Sequence, residues 1–143
     1  MADVTDGTSH TCAFSEWLLG EASHADPRRS VYNTAKLLLS SAENEAFVQE
    51  CRSLNMGVFR PEGLGKEVGW MRGDFIHTHY NHLMLPNEHS CKNDGKVQQG
   101  SWTAGSNHPG GVNMLLLDGS VSFNKSSITL SVWRGLGTRN GND

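Results

Sequence analysis

Two strand-like runs, Val112–Leu117 and Ser120–Phe123, stand on either side of Asp118–Gly119. An Asp–Gly pair between such runs is a strong signal for an antiparallel hairpin, because both residues tolerate the left-handed backbone of a two-residue type I′ turn. The hairpin commits the C-terminal part of the chain to a sheet. Glycine extends that reading: sixteen glycines spread over 143 residues, among many Ser and Asn, favour turns and short strands over a helical bundle. This length suits one domain with a modest core.

His108 lies ten residue steps before Asp118. A catalytic or metal pair would have to meet, yet a continuous strand of that length would part its ends by roughly 33 Å. The bend at Pro109–Gly110–Gly111 shortens the path, but Val112–Leu117 alone spans about 17–20 Å. Both residues are therefore read as structural. Asp118 starts the turn that Gly119 completes, and His108 pins the start of the hairpin through a hydrogen bond.

One helix is clearly written, in SAENEAFVQECRSL. Ser40 and Glu43 make a capping box. Ala42, Ala46 or Phe47, Cys51 and Leu54 recur at helical spacing, and Gly57 follows the end. Cys12–Leu19 is an apolar segment entered almost at once through Asp6–Gly7, which implies native sequence upstream of Met1. Residues 22–30 read as a polar surface loop, and 33–39 as a short helix or turn. A strand is possible around Val68–Met71. Asp74–His82 alternates in strand fashion, with Phe75, His77 and His79 on one face. Residues 86–101 read as a polar loop holding Cys91. An amphipathic segment carries Ile128, Leu130 and Trp133. The expected organisation is one globular domain over 1–134 and a flexible tail over 135–143.

Several function classes are disfavoured early. A formal charge of −3 without a Lys/Arg cluster argues against nucleic acid and anionic membranes as partners. The longest apolar runs, such as Leu37–Leu39 and Met114–Leu117, fall far short of the ~20 residues that cross a bilayer. There is no GxSxG elbow, no GxxxxGK[ST] and no strand-linked GxGxxG. Glu16 and Glu21 flank Trp17, a commonplace spacing. Cys12, Cys51 and Cys91 contain no CxxC pair, so zinc-ribbon and thioredoxin readings fail. An odd count means reduced thiols in a cytosolic protein, or one disulfide and a spare in an exported one. Cys12 could be a nucleophile only with a histidine close in space. Its neighbours Ala13 and Phe14 favour a buried, inert thiol.

The remaining candidate is HTHYNH. His77 and His79, two apart on a strand, would point the same way, and His82 could close a transition-metal site with His89 or Asp74 as a fourth ligand. Against this stands the plainer reading of surface or half-buried histidines beside Tyr80.

SNHPGGVNMLLLDGSVSF, followed by WRGLGTR, resembles the C-terminal signature of the prepilin-type processing-associated H-X9-DG proteins. These are bacterial proteins built around a domain of unknown function, in which a pilin-like leader and apolar helix precede an exported, pseudopilin-like domain. DVTDGTSHTCAFSE resembles the family's turn and strand ending in a glutamate, here Glu16. HYNHLMLPNEHSC resembles its Asn–x–x–x–Pro–Asn…Cys loop, and FVQECRSL its cysteine-bearing helix. The resemblance implies a disulfide between Cys51 and Cys91, leaving Cys12 spare. Closing a loop of about forty residues would stabilise the domain by roughly 3–4 kcal/mol. It also implies that His108, Asp118 and Gly119 are structural, that the protein is not an enzyme, and that it needs no cofactor.

The expectation is thus an α+β domain, a main helix packed on an antiparallel sheet that includes the C-terminal hairpin, as in a pilin-like globular head. Its work would be assembly, secretion or surface display at the cell envelope, with protein partners, and membrane contact only through an upstream helix. Rival readings are a glycan-binding module using Trp17, Trp70 or Trp102 as exposed platforms, and a metal-dependent hydrolase built on His77, His79 and His82.

Overall fold

A computed structural model describes residues 3–20, 25–35, 40–55, 66, 71–74, 77–94 and 96–141. Among the described residues six strands form two three-stranded sheets, with one main helix and a shorter one. The first sheet has the order β1 (Cys12–Ser15), β5 (Gly111–Leu116), β6 (Val121–Lys125) and is antiparallel throughout. In the second, β2 (Val31–Asn33) runs parallel to β3 (Ser90–Asn93), which pairs antiparallel with β4 (Lys96–Ser101).

The α+β class holds, with the elements divided between two sheets rather than gathered on one. The main helix, α1 (Asn44–Ser53), follows a 3-10 turn over Ser41–Glu43, and the capping box forms, with Glu43 Oε2 accepting the Ser40 N–H at 2.9 Å. Its buried stripe is Phe47, Val48 and Cys51, so Phe47 rather than Ala46 faces inward. The stripe packs with Tyr32, Met84 and Cys91 against the second sheet. The hairpin sheet is covered instead by Trp133 of α2 (Leu130–Gly135), which packs on Ala104, Val112, Met114 and Leu116. Alternation in β5 explains this core: Val112, Met114 and Leu116 point inward, Asn113 and Leu115 outward.

The hairpin turn differs from the expected type I′. Its φ is positive at Gly119 (88°), and Asp118 is not among the residues with positive φ. Gly119 N–H donates to Leu116 O at 3.0 Å, and Leu116 N–H to Ser120 O at 2.9 Å. This is the three-residue loop, a turn over Leu116–Gly119 closed by a left-handed glycine. Asp118 serves it by accepting the Ser120 N–H (2.9 Å) and hydroxyl (2.7 Å) rather than by its own backbone.

Other expectations are corrected. His77, Thr78 and His79 all donate backbone N–H groups to Asp74 O, so this stretch is a turn and not an alternating strand. The polar loop of 86–101 contains β3 and β4, and the loop of 22–30 holds a 3-10 turn over Pro27–Arg29. The short element expected over 33–39 begins inside β2. Residues 36–39, Glu21 and most of the strand expected at 68–71 lie outside the described residues. The segment from 135 is anchored as far as residue 141. Leu136 O accepts from Cys12 N–H, Arg139 O from Thr5 N–H, and Asp6 Oδ2 from Thr138 Oγ1 and Gly141 N–H.

Two asparagines fasten the segment that precedes β3, one to each sheet. Asn81 donates to Gly100 O at 2.8 Å, whereas Asn87, at φ 67°, donates to Gly111 O and Ser126 Oγ and accepts from Ser106 N–H. Through Asn87 the loop ending at His108 is fixed to the first sheet.

Candidate functional site

Where β1 ends, Glu16 enters a cleft of about 410 Å³ that it shares with Trp17, Leu18, Ser106, Asn107 and His108. Strand pairing sets its position: Ser15 pairs with Met114, and Glu16 Oε2 accepts the Asn113 N–H at 2.6 Å. Oε1 faces His108 Nε2 at 3.1 Å. The backbone of His108 is held as well, its main-chain N–H donating to Ser106 Oγ at 3.0 Å. Burial works to raise the Glu16 carboxyl, but hydrogen bonds from Asn113 and Ser106 and the nearby His108 outweigh it and hold the group below its ordinary range. The partner of His108 is thus a carboxylate across the sheet, a pairing that spacing along the chain could not reveal.

Asp118 lies beyond the far end of β5, its N–H donating to Thr8 O at 3.1 Å. Its carboxyl is held low by the Ser120 hydroxyl first and the Ser120 N–H second. His108 and Asp118 serve opposite ends of one strand.

Beside the cleft, Lys66 is buried at 1% exposure, its Nζ donating to Thr103 O at 2.9 Å and lying 4.4 Å from the Trp17 ring centroid. Burial pulls its pKa down to about 7, against the field of Asp26 and together with the repulsion of Arg28 and Arg29. Arg28 is clamped on Asp26 and reaches Ser106 O at 3.1 Å. No sequence signal distinguishes Lys66 from a surface lysine.

The structure separates the histidines of HTHYNH. His77 is buried and bound to the Asp74 carboxylate, and His79 is exposed. His82 stacks on Trp133 with ring centroids 4.0 Å apart. Their ligand atoms do not gather into a set that could hold an ion. His82 instead completes a chain of hydrogen bonds. Its Nδ1–H donates to Trp133 O at 2.7 Å, which leaves Nε2 to accept from the Tyr80 hydroxyl at 3.2 Å. The Tyr80 oxygen then accepts from the Cys12 thiol at 2.6 Å. A histidine therefore does come near Cys12, with a tyrosine between. Burial pushes the thiol up and the imidazole down, the reverse of what a thiolate–imidazolium pair requires. A bulge between Cys12 and Phe14 turns Cys12 toward the core and leaves Phe14 at 70% exposure, so Phe14 does not bury the thiol.

Cys51 and Cys91 are joined in a disulfide that ties α1 to β3, with Cα atoms 6.0 Å apart, and Cys12 is free. Such bonds belong to oxidising compartments. Among the described residues no helix is long and apolar enough to cross a membrane. Of the tryptophans considered as glycan platforms, Trp102 is 1% exposed and part of the core, Trp17 is half-buried under Lys66, and Trp70 lies outside the described residues.

Residues 1–131 match the family described as a protein of unknown function (DUF1559). The chain belongs to this family. No curated protein and no solved structure matches it. In this DUF1559 domain the match takes in β1 through the start of α2, and so includes Glu16, His108 and both bridged cysteines.

Proposed function

We propose that this DUF1559 domain is a non-enzymatic, exported module of the cell envelope, pseudopilin-like in its work, that acts in assembly, secretion or display by contacting other proteins. The observation that carries the reading is the outer face of the first sheet. Phe14, Leu115 and Val121 lie in register across all three strands. Phe14 is 70%, Val121 67% and Phe123 48% exposed. A contiguous apolar face of this kind suits a contact surface better than it suits bulk water.

The signature residues fit a scaffold role. His108 and Glu16 fasten a loop to a strand end, and Asp118 with Gly119 closes a turn. The disulfide supports export, and the resemblance to prepilin-type H-X9-DG proteins supports the envelope. A photo-crosslinking residue placed at Phe123 in the source cells should give protein adducts in the envelope fraction, and one placed at exposed Asp94 should not. Equal labelling at both positions, or none at Phe123, would remove the face from the reading.

A further inference from the structure

The disulfide bridge has a third member. His89 stands two residues before Cys91, immediately ahead of β3, and its Nε2 is held 2.9 Å from the carbonyl oxygen of Cys51. The ring also meets Tyr32 edge-on, with centroids 5.5 Å apart, so backbone and aromatic contacts both fix its orientation. Among the described residues, Cys51, His89 and Cys91 form a set whose ligand atoms all lie within 4.8 Å of one another. Both cysteines are 0% exposed, and His89 is half-buried, which opens the cluster to solvent on one side.

We infer that, when the Cys51–Cys91 bridge is reduced, these three residues form a site for a borderline-soft cation of the Zn²⁺ class. In the reduction a dithiol is oxidised to its own disulfide, and the two sulfurs of the bridge take up two electrons and two protons. Binding of Zn²⁺ then displaces both thiol protons and leaves two thiolates and one imidazole on the metal. Two thiolates at about 2.3 Å from a tetrahedral ion stand about 3.8 Å apart. Side-chain rotation can supply that separation between Cα atoms 6.0 Å apart without unfolding α1 or β3. Thiolate and imidazole together suit zinc better than the harder divalent cations. Three protein ligands leave the fourth position, on the side of His89, for water or a small ligand. The Nε2 contact with a backbone carbonyl is the kind of bond that orients metal-binding histidines. The domain would then have two exclusive states, one bridged and metal-free, the other reduced and metal-loaded. This inference is independent of the role proposed for the sheet face.

The test uses the full chain, reduced with a water-soluble phosphine in mild denaturant and returned to buffer under argon. Zinc alone is added, and bound metal is measured after gel filtration and by competition with a chromogenic chelator. Reduced protein should hold one equivalent and oxidised protein none. His89→Ala should weaken zinc binding at least tenfold while leaving the melting temperature of the oxidised form within a few degrees. Should the reduced chain unfold without metal, zinc must raise its melting temperature, since a ligand that binds only the folded form stabilises it. A reduced chain that neither retains zinc nor gains stability from it overturns the inference. So does equal affinity in His89→Ala, which would mean two thiols acting alone.

Discussion

The carboxylate of Glu16 accepts from the Asn113 backbone and faces His108, so one side chain fixes β1, β5 and the loop between them and the preceding strand. Glu16→Gln keeps the shape and removes the charge, and should cost about 1–2 kcal/mol near neutral pH. The folded-state pKa is lowered, so this contribution is present above the ordinary carboxyl value of 4.5 and is lost as pH falls through the lower folded value. Melting curves of wild type and Glu16→Gln should therefore converge in acid. Lys66 has the opposite consequence. Its folded pKa of about 7 lies below the unfolded value of 10.5, so the unfolded chain binds more protons between these limits and stability rises with pH. From pH 7 to 9 wild type should gain about 1–2 kcal/mol relative to Lys66→Met, read from denaturant titrations at each pH. At this scale the sequence was partly legible. The separation of His108 from Asp118 followed from distance along a strand, and a turn at Asp118–Gly119 from the residue pair itself. The partner of His108, the burial of Lys66 and the Cys12–Tyr80–His82 chain depend on tertiary approach, for which a single sequence carries no period or spacing.

Between elements, the disulfide joins α1 to β3 across 40 residues of chain. Cys51→Ser and Cys91→Ser should each lower stability by about 3–4 kcal/mol, and the double variant should be little worse than either single one. Additive losses in denaturant titrations would show that the cysteines act separately. Two glycines of the hairpin separate conformational strain from steric conflict. At Gly119 an added Cβ meets nothing within 4 Å, but φ is +88°, so Gly119→Ala should cost about 1 kcal/mol and Gly119→Asn less. At Gly111 the added Cβ would lie 2.3 Å from Asn124 O, a backbone atom that cannot rotate away. Gly111→Ala should cost about 3 kcal/mol. The helix was readable from its capping box and period. The hairpin was readable from Asp–Gly, although a three-residue loop replaced the two-residue turn because the left-handed residue is Gly119 alone. Strands β3 and β4 were hidden by polar composition: Ser90, Lys92 and Asn93 are buried yet read as loop residues.

Over the whole molecule, two small cores sit under two sheets, one closed by α1 and the disulfide, the other by Trp133. Arg134 links them, donating to Leu83 O and pairing with Glu45 of α1. The turn before β1 is tied to the segment after α2 through Asp6, Thr138 and Arg139. One written helix and one written hairpin led to the α+β class, but the division into two sheets was not legible, because β2 and β3 pair in parallel across a long separation that no hairpin signal marks. The proposed scaffold role takes the bridged domain to be exported and its outer sheet face to meet other proteins. Fractionation of source cells, with thiols blocked at lysis and non-reducing peptide mapping of each fraction, tests it most directly. The expected result is the chain in the envelope or extracellular fraction, with the Cys51 and Cys91 peptides linked and Cys12 free. Recovery from the cytoplasm with all three thiols blocked would contradict it.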